Sequence, residues 1–270
     1  MKILNSLSAA LVMVGALAAP LANAGAVHDV ARFTDSTLAR NDDGSTLLVG
    51  LGFNINFFGL TTGNVFVNNN GNITFNAPLG TFTPFSLLAT AVPIIAPFFA
   101  DVDTRNLTSQ EVQYGQDVIG GHNVFGVNWI NVGYFASHAD KLNSFQLILT
   151  ERADIGAGAF DFEFNYDRIL WETGDASNGS GGLGGSSARA GYSNGSSTAF
   201  ELPGAAINGA YLDGGPNALI AGSLNSNVAG RYIFNVRNGV VQTVPEPTSL
   251  LLLAVALLGA GFASRRSRKA

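Results

Sequence analysis

The chain has 270 residues, 47% of them hydrophobic and only 12% charged, with no cysteine. Residues 25–247 set nine Lys and Arg against 19 acids, because Lys2, Arg265, Arg266, Arg268 and Lys269 all lie in the flanks. That surface repels phosphates and anionic lipid, which argues against nucleic acid and against adsorption on a membrane; the missing thiols exclude disulfides and thiol chemistry.

Met1-Lys2, the apolar stretch Leu7 to Ala19 and Ala22-Asn23-Ala24 stand in the order of a charged n-region, an h-region and an A-x-A cleavage site. Residues 1–24 are therefore expected to form a signal peptide with a helical core, cleaved between Ala24 and Gly25. The 223 residues from 25 to 247 suffice for one domain that buries roughly 70% of its unfolded surface.

Asn41-Asp42-Asp43-Gly44 is a turn signal. Phe53, Ile55 and Phe57 alternate with Asn54 and Asn56, the period of a strand with one buried face. Val65-Phe66-Val67 and Ile73-Thr74-Phe75 flank Asn68-Asn69-Asn70-Gly71-Asn72. Asn-Gly between two β-rich runs predicts a hairpin, with positive φ at both turn residues. Pro78 and Pro84 mark a loop, and Leu87 to Val92 suits a single helical turn.

Val92 to Tyr134 reads as the centre of the sheet. Its front half, Ile94 to Ala100, is a near-continuous apolar run that stops on Asp101-Val102-Asp103-Thr104-Arg105, a buried strand emerging at a surface turn. Its back half puts Phe125, Val127 and Trp129 on the buried face, with Gly126 and Asn128 on the exposed one. Farther on, Phe145, Leu147 and Leu149 form an alternating strand, as do Phe160, Phe162 and Phe164 against Asp161 and Glu163, with Gly156-Ala157-Gly158 as the hairpin between them.

Gly174 to Ser187 holds six glycines and reads as a flexible surface loop. Ala188 to Tyr192 and Ser197 to Glu201 flank Asn194-Gly195, and Arg231 to Val236 is a last alternating strand. No helical periodicity is sustained in this region, and strands every 8–12 residues predict an all-β, mainly antiparallel sandwich or open barrel. Val240 to Pro247 is a linker. Thr248 to Ser264 is 17 residues without a charge, followed by Arg265-Arg266-Ser267-Arg268-Lys269. As a helix it is about 26 Å long at ~1.5 Å per residue, just short of a ~30 Å hydrocarbon core. A single C-terminal transmembrane helix over 248–264 is expected, its basic end cytoplasmic.

Two resemblances follow from these residues. From Gly52 to Gly204 the chain is similar to the NIDO (nidogen-like) extracellular domain. The matching pieces are Val65 to Phe75, Ile95 to Arg105, Trp129 to Tyr134, Asn143 to Gln146, Asn165-Tyr166, Ile169 to Gly174 and Ala190 to Tyr192. This resemblance implies extracellular adhesion and brings no catalytic site with it. Val244-Pro245-Glu246-Pro247, the apolar span and the Arg-rich end resemble the PEP-CTERM sorting tail. That layout implies a Gram-negative exporter, an exosortase-type membrane protease acting on the tail, and release at the cell surface. The expected division is a signal peptide over 1–24, a nidogen-like β domain over 25–243 and a sorting segment over 244–270.

Gly191-Tyr192-Ser193-Asn194-Gly195 matches a G-x-S-x-G nucleophile elbow, which requires a strand–turn–helix context. The residues after it lack helical spacing, and His28, His122 and His138 all precede the serine; a hairpin turn explains it better. Glu151, Asp161, Glu163 and Glu172 are the carboxylates from which a glycosidase pair would be drawn. Asp101 and Asp103, two apart on a loop, suit a hard ion such as Ca²⁺. They equally suit a strand cap with Arg105 offsetting their charge, and no EF-hand-like ligand series follows them. His122 and His138 lack partners at zinc spacing.

The reading therefore assigns no catalytic, cofactor or metal residue, with Asp101 and Asp103 the metal candidates to test. Ala24, Gly25, Pro245, Glu246 and Pro247 are the processing residues. The expected partners are an exosortase-type protease and an extracellular polysaccharide or surface protein, with no nucleic acid and membrane contact only through the tail. The Asp101 to Arg105 turn is the expected contact surface. An inner-membrane intermediate should precede display at the surface or in the extracellular matrix. The rival is an extracellular hydrolase acting on exopolysaccharide or surface polymers.

Overall fold

Alternation decides which side of each strand faces inward, and a computed structural model, which describes residues 25–242, shows where those faces meet. Fourteen strands are described: β1 (Ser36–Leu38), β2 (Val49–Phe57), β3 (Leu60–Asn68), β4 (Asn72–Thr74), β5 (Pro93–Phe99), β6 (Val102–Asp103) and β7 (Val112–Ile119) come first. The second half supplies β8 (His122–Tyr134), β9 (His138–Glu151), β10 (Phe160–Arg168), β11 (Arg189–Asn194), β12 (Ala199–Glu201), β13 (Arg231–Arg237) and β14 (Val240–Val241). The helical pieces described are 3₁₀ turns at Leu87–Ala89 and Asp175–Ser177.

One sheet runs β1-β7-β8-β9-β10-β13-β14, with β6 beside β8; the other runs β12-β11-β5-β4-β3-β2. Every ladder between these strands is antiparallel. The all-β antiparallel expectation is met, and the two sheets share one core as a sandwich. Ile55, Phe57, Val67 and Ile95 from one sheet pack with Trp129, Phe145, Leu147 and Phe162 from the other. Aromatic rings fill much of this space: Trp129 stacks on Phe145 at 5.3 Å, and Phe162 on Phe234 at 4.7 Å.

Three details differ from the expectation. First, Val92 to Tyr134 is not the centre of one sheet. Its front half is β5, between β4 and β11, and its back half is β8, between β7 and β9. The apolar run of β5 does not alternate because both faces are covered: Ile95 and Phe98 point into the main core, while Ile94, Ala96 and Phe99 pack with Leu87 outside it. The chain then crosses between sheets at Ala100-Asp101 and pairs Val102 with Tyr134.

Second, the outer face of β8 is dry. Residues 26–34 lie across it: Phe33 packs on Val124 and Ile148, and its ring occupies the space a Cβ on Gly126 would need. Asn128 is consequently 1% exposed, not solvated. Third, the hairpin loop pairs Asn68 with Asn72 across three residues. Only Gly71 adopts positive φ, at 71°. A three-residue loop places a single αL residue at its end, and a Cβ there would strike the Phe98 carbonyl, so glycine is required twice over.

The signal helix, the 248–264 span and Ala24, Pro245, Glu246 and Pro247 lie outside the described residues. Within them no helix is long and apolar enough to cross a membrane.

Candidate functional site

The corner where β5 leaves one sheet and β6 joins the other gathers three remote pieces of chain. Loop 39–45 is tied down beside it by Arg40, whose guanidinium donates to the Thr104 and Asn106 carbonyls at 2.8 Å each. Asn41 and Thr104 exchange backbone and hydroxyl bonds at 2.9–3.0 Å. The β3–β4 loop fills the gap between these pieces. Asn69 Nδ2 donates to the Asp42 and Val102 carbonyls. Asn70 Nδ2 donates to Asp43 Oδ1 at 2.8 Å, and Asn70 Oδ1 accepts from the Val102 N–H at 2.8 Å. Trp129 Nε1 donates to the Asn69 carbonyl at 3.0 Å, so the corner rests directly on the core.

This framework brings Asp42, Asp43 and Asp101 together, with one carboxylate oxygen of each within 4.8 Å of the others. Asp101 is 1% exposed, and neither of its oxygens has a hydrogen-bond partner among the described residues. Asp42 Oδ1 and Asn69 Oδ1 are buried without a partner as well. A Cβ on Gly174 would overlap the Asp101 carboxylate, so glycine there leaves it room. Orphaned buried oxygens cost on the order of 1–3 kcal/mol each, more when charged, so this concentration calls for a positive partner or a proton.

The charges show the same imbalance. Burial, and then repulsion from Asp42, Asp43 and Asp103, push the Asp101 carboxyl up to about 7, with Arg105 pulling the other way. Burial, then Asp103 and Asp43, raise Asp42 to about 6. Asp103 behaves oppositely. Burial alone would raise it, but side-chain and backbone hydrogen bonds from Arg105, and the Ser137 N–H at 2.7 Å, hold it below the usual carboxylate range. Arg105 grips Asp103 through Nε and Nη2 and reaches Asp42 Oδ2 at 3.2 Å. One cation thus serves four carboxylates. With oxygen donors alone, the set suits a hard cation, not zinc.

The structure separates the two residues proposed as a pair. Asp103 belongs to Arg105 as a strand-end cap, whereas Asp101 joins acids some sixty positions earlier in the chain. The Asp101 to Arg105 turn is also not an exposed contact surface: Asp101, Val102, Asp103 and Thr104 are all buried, and Arg105 alone is partly in solvent. Loop 39–45 and Gly174 cover it. Asp42 and Asp43 were legible only as a turn signal, and Asn69 and Asn70 only as a hairpin. The readable hint was excess: a hairpin needs one Asn before its Gly, and here three run in a row, Asn68 to Asn70.

The other candidates have ordinary partners. Ser193 is buried in β11, its Oγ accepts from the Gly195 N–H at 3.1 Å, and the following turn leads to another strand, β12. His28, His122 and His138 pair with Glu163, Asp154 and Asp175. Asp161 binds Arg152 and Arg237, and Glu163 binds Arg231 as well as His28. Glu172 accepts the Gly209 and Tyr211 N–H groups, anchoring the loop before β13. A groove of about 540 Å³ beside β12 is lined by Phe200, Leu202, Pro216, Leu219, Leu224 and Tyr232.

Fold and site together describe a cysteine-free antiparallel β-sandwich with an acidic corner between its sheets. The chain belongs to the nidogen-like domain family: the family model matches residues 63–120 and 113–238. The match begins after Gly52 and runs well past Gly204, taking in β13 of the larger sheet. The PEP-CTERM protein-sorting motif matches residues 243–269. The chain is 34% identical to alpha-tectorin of Mus musculus over 228 residues, and 32% identical to that of Gallus gallus over 227. Each alignment covers 75% of this chain and 10% of the relative. Nidogen of Drosophila melanogaster is 30% identical over 131 residues, 40% of this chain and 10% of that protein. The chain thus spans about a tenth of the length of these relatives. No solved structure matches it.

Proposed function

We propose that the protein is an exported binding module of adhesion type, carried to the cell surface or its extracellular matrix by its sorting segment. The observation that carries this reading is the order of the two matched families. A nidogen-like domain ending at residue 238 is followed at once by a sorting motif at 243–269. Residues 1–24 act as the signal peptide, residues 25–243 form the domain, and 244–270 is the segment an exosortase-type protease recognises, held during transit by the 248–264 span. The pairing of Asp161, Glu163 and all three histidines with neighbouring charges favours a binding role over the hydrolase alternative.

Intact-mass measurement of the exported protein tests the route: the expected mass begins at Gly25 and ends near Pro247. A mass that retains Leu250 to Ala263 would make the tail an anchor only. Pull-down with the exported chain against the producer's own exopolysaccharide and surface proteins tests the binding. Retention of one of these is expected. Turnover in a glycosidase or esterase screen, abolished by Ser193→Ala or Glu163→Gln, would instead establish the hydrolase.

A further inference from the structure

We infer that the corner between the two sheets is a Ca²⁺ site, built from Asp42, Asp43, Asp101 and Asn69. This goes beyond the adhesion reading and does not rest on it. Ca²⁺ takes oxygen ligands at roughly 2.3–2.6 Å, so oxygens sharing one ion lie no more than about 5 Å apart. The three carboxylates meet that limit, each offering an oxygen within 4.8 Å of the others.

The second observation is independent of their being acids. Asn69 is fully buried, its amide nitrogen is committed to the Asp42 and Val102 carbonyls, and its Oδ1 has no donor among the described residues. Asp101, 1% exposed, likewise has no donor to either oxygen among the described residues although it sits inside the carboxylate cluster, so bare buried oxygens on one loop and at one strand end describe half of a coordination shell. Water supplies the remaining positions in Ca²⁺ sites of this kind. Mg²⁺ fits less well, because it demands near-ideal octahedral geometry and retains several waters, whereas these ligands are pinned by three separate segments.

Burial of the cation here would do structural work. It would cross-link loop 39–45, the β3–β4 loop and the β5–β6 crossing, the three pieces that hold the sheets in register at this end. A Ca²⁺ clamp replaces the disulfides that this cysteine-free exported chain lacks.

The test is calorimetric titration of the chelator-treated, exported chain with CaCl₂, beside MgCl₂, at neutral pH. Saturable binding of one Ca²⁺ is expected, tighter than Mg²⁺, with Asp101→Asn weakening it at least about tenfold, in line with loss of a charged ligand. Glu163→Gln, far from the corner, should leave the affinity unchanged. Terbium luminescence sensitised by tryptophan keeps the test open if Asp101→Asn fails to fold. Trp129 touches Asn69, so Tb³⁺ bound in the corner should emit on indole excitation and be displaced by Ca²⁺, and Asp43→Asn should lower the signal. Absence of binding up to about 10 mM Ca²⁺, well above the weakest extracellular modules, would overturn the assignment. So would Ca²⁺ binding that survives in both Asp101→Asn and Asp43→Asn.

Discussion

Two polar regions are buried in this sandwich, and they are built on opposite plans. On the outer face of the larger sheet, Asn128, Gln146 and Asn165 form a ladder across β8, β9 and β10. Gln146 Nε2 donates to Asn128 Oδ1 at 2.7 Å, and Gln146 Oε1 accepts from the His28 N–H at 3.1 Å and from Asn165. Asn128 Nδ2 donates to the Arg32 carbonyl, and Arg231 closes the other end on Asn165. None of these side-chain atoms lacks a partner. At the β5–β6 corner, Asp101 and Asn69 are equally buried and Asp42 is partly so, yet four of their oxygens have no partner among the described residues. Networks satisfied from within rigidify a fold, whereas a half-satisfied one in low dielectric is costly. The second region is therefore completed from outside the chain or by protons.

Mutations should separate the two plans, and the largest effect lies in the core beneath the corner. Trp129 stacks in the core and donates to Asn69, so Trp129→Ala should lose about 3–5 kcal/mol in urea unfolding. A loss under about 1 kcal/mol would put the indole outside the core and overturn the packing described.

Next comes the satisfied ladder. Gln146→Ala strands Asn128, Asn165 and the His28 N–H at once and should cost about 2 kcal/mol. The orphaned corner should answer with the opposite sign: Asp101→Asn, in chelator at pH 8, should leave the domain as stable as the parent or more so. If both substitutions destabilise equally without cation, the contrast between the regions fails.

A smaller effect is expected from pH. Asp101 titrates at about 7 in the fold and near 3.9 when unfolded, so the folded state keeps a proton that the unfolded chain releases. Cation-free stability should therefore fall as pH rises from about 4 to about 7 and level off above it, with Asp42 acting in the same sense up to about 6. Asp103, held low by Arg105, contributes the reverse, a stability present above its unfolded value and lost below it. Melting temperatures in chelator across this range check the slope, and Asp101→Asn should flatten it. A melting temperature that climbs between pH 5 and 7 would contradict the raised Asp101.

The smallest change belongs to the surface. Glu163 is two-partnered by His28 and Arg231 but reaches solvent, so Glu163→Ala should cost about 0.5–1 kcal/mol. Parity with Gln146→Ala would mean that Glu163 is part of the buried ladder, not its rim.

What was legible in the sequence was local. Phe160, Phe162 and Phe164 against Asp161 and Glu163 announce a half-buried strand, because successive side chains must point to opposite faces. The structure buries those three rings and leaves the two acids partly open. Asn70-Gly71 announces a turn because Gly71 is free to take positive φ, and the β9–β10 and β11–β12 hairpins follow from their glycines in the same way. The sorting tail is legible for a similar reason, since its parts are contiguous.

Tertiary structure alone decided what covers each face and which charges meet. Alternation marks Asn128 as facing away from the core, but cannot foresee that residues 26–34 will lie over it and seat Phe33 on Gly126. In the same way Asp101 and Asp103 look like a pair, although at the β5–β6 crossing they turn to different neighbours: Asp103 to Arg105 two residues on, Asp101 to Asp42 and Asp43. Side-chain period is a property of a few consecutive residues. Burial, and the electrostatics that burial amplifies, depend on segments far apart in the chain, brought together only when the two sheets close on each other.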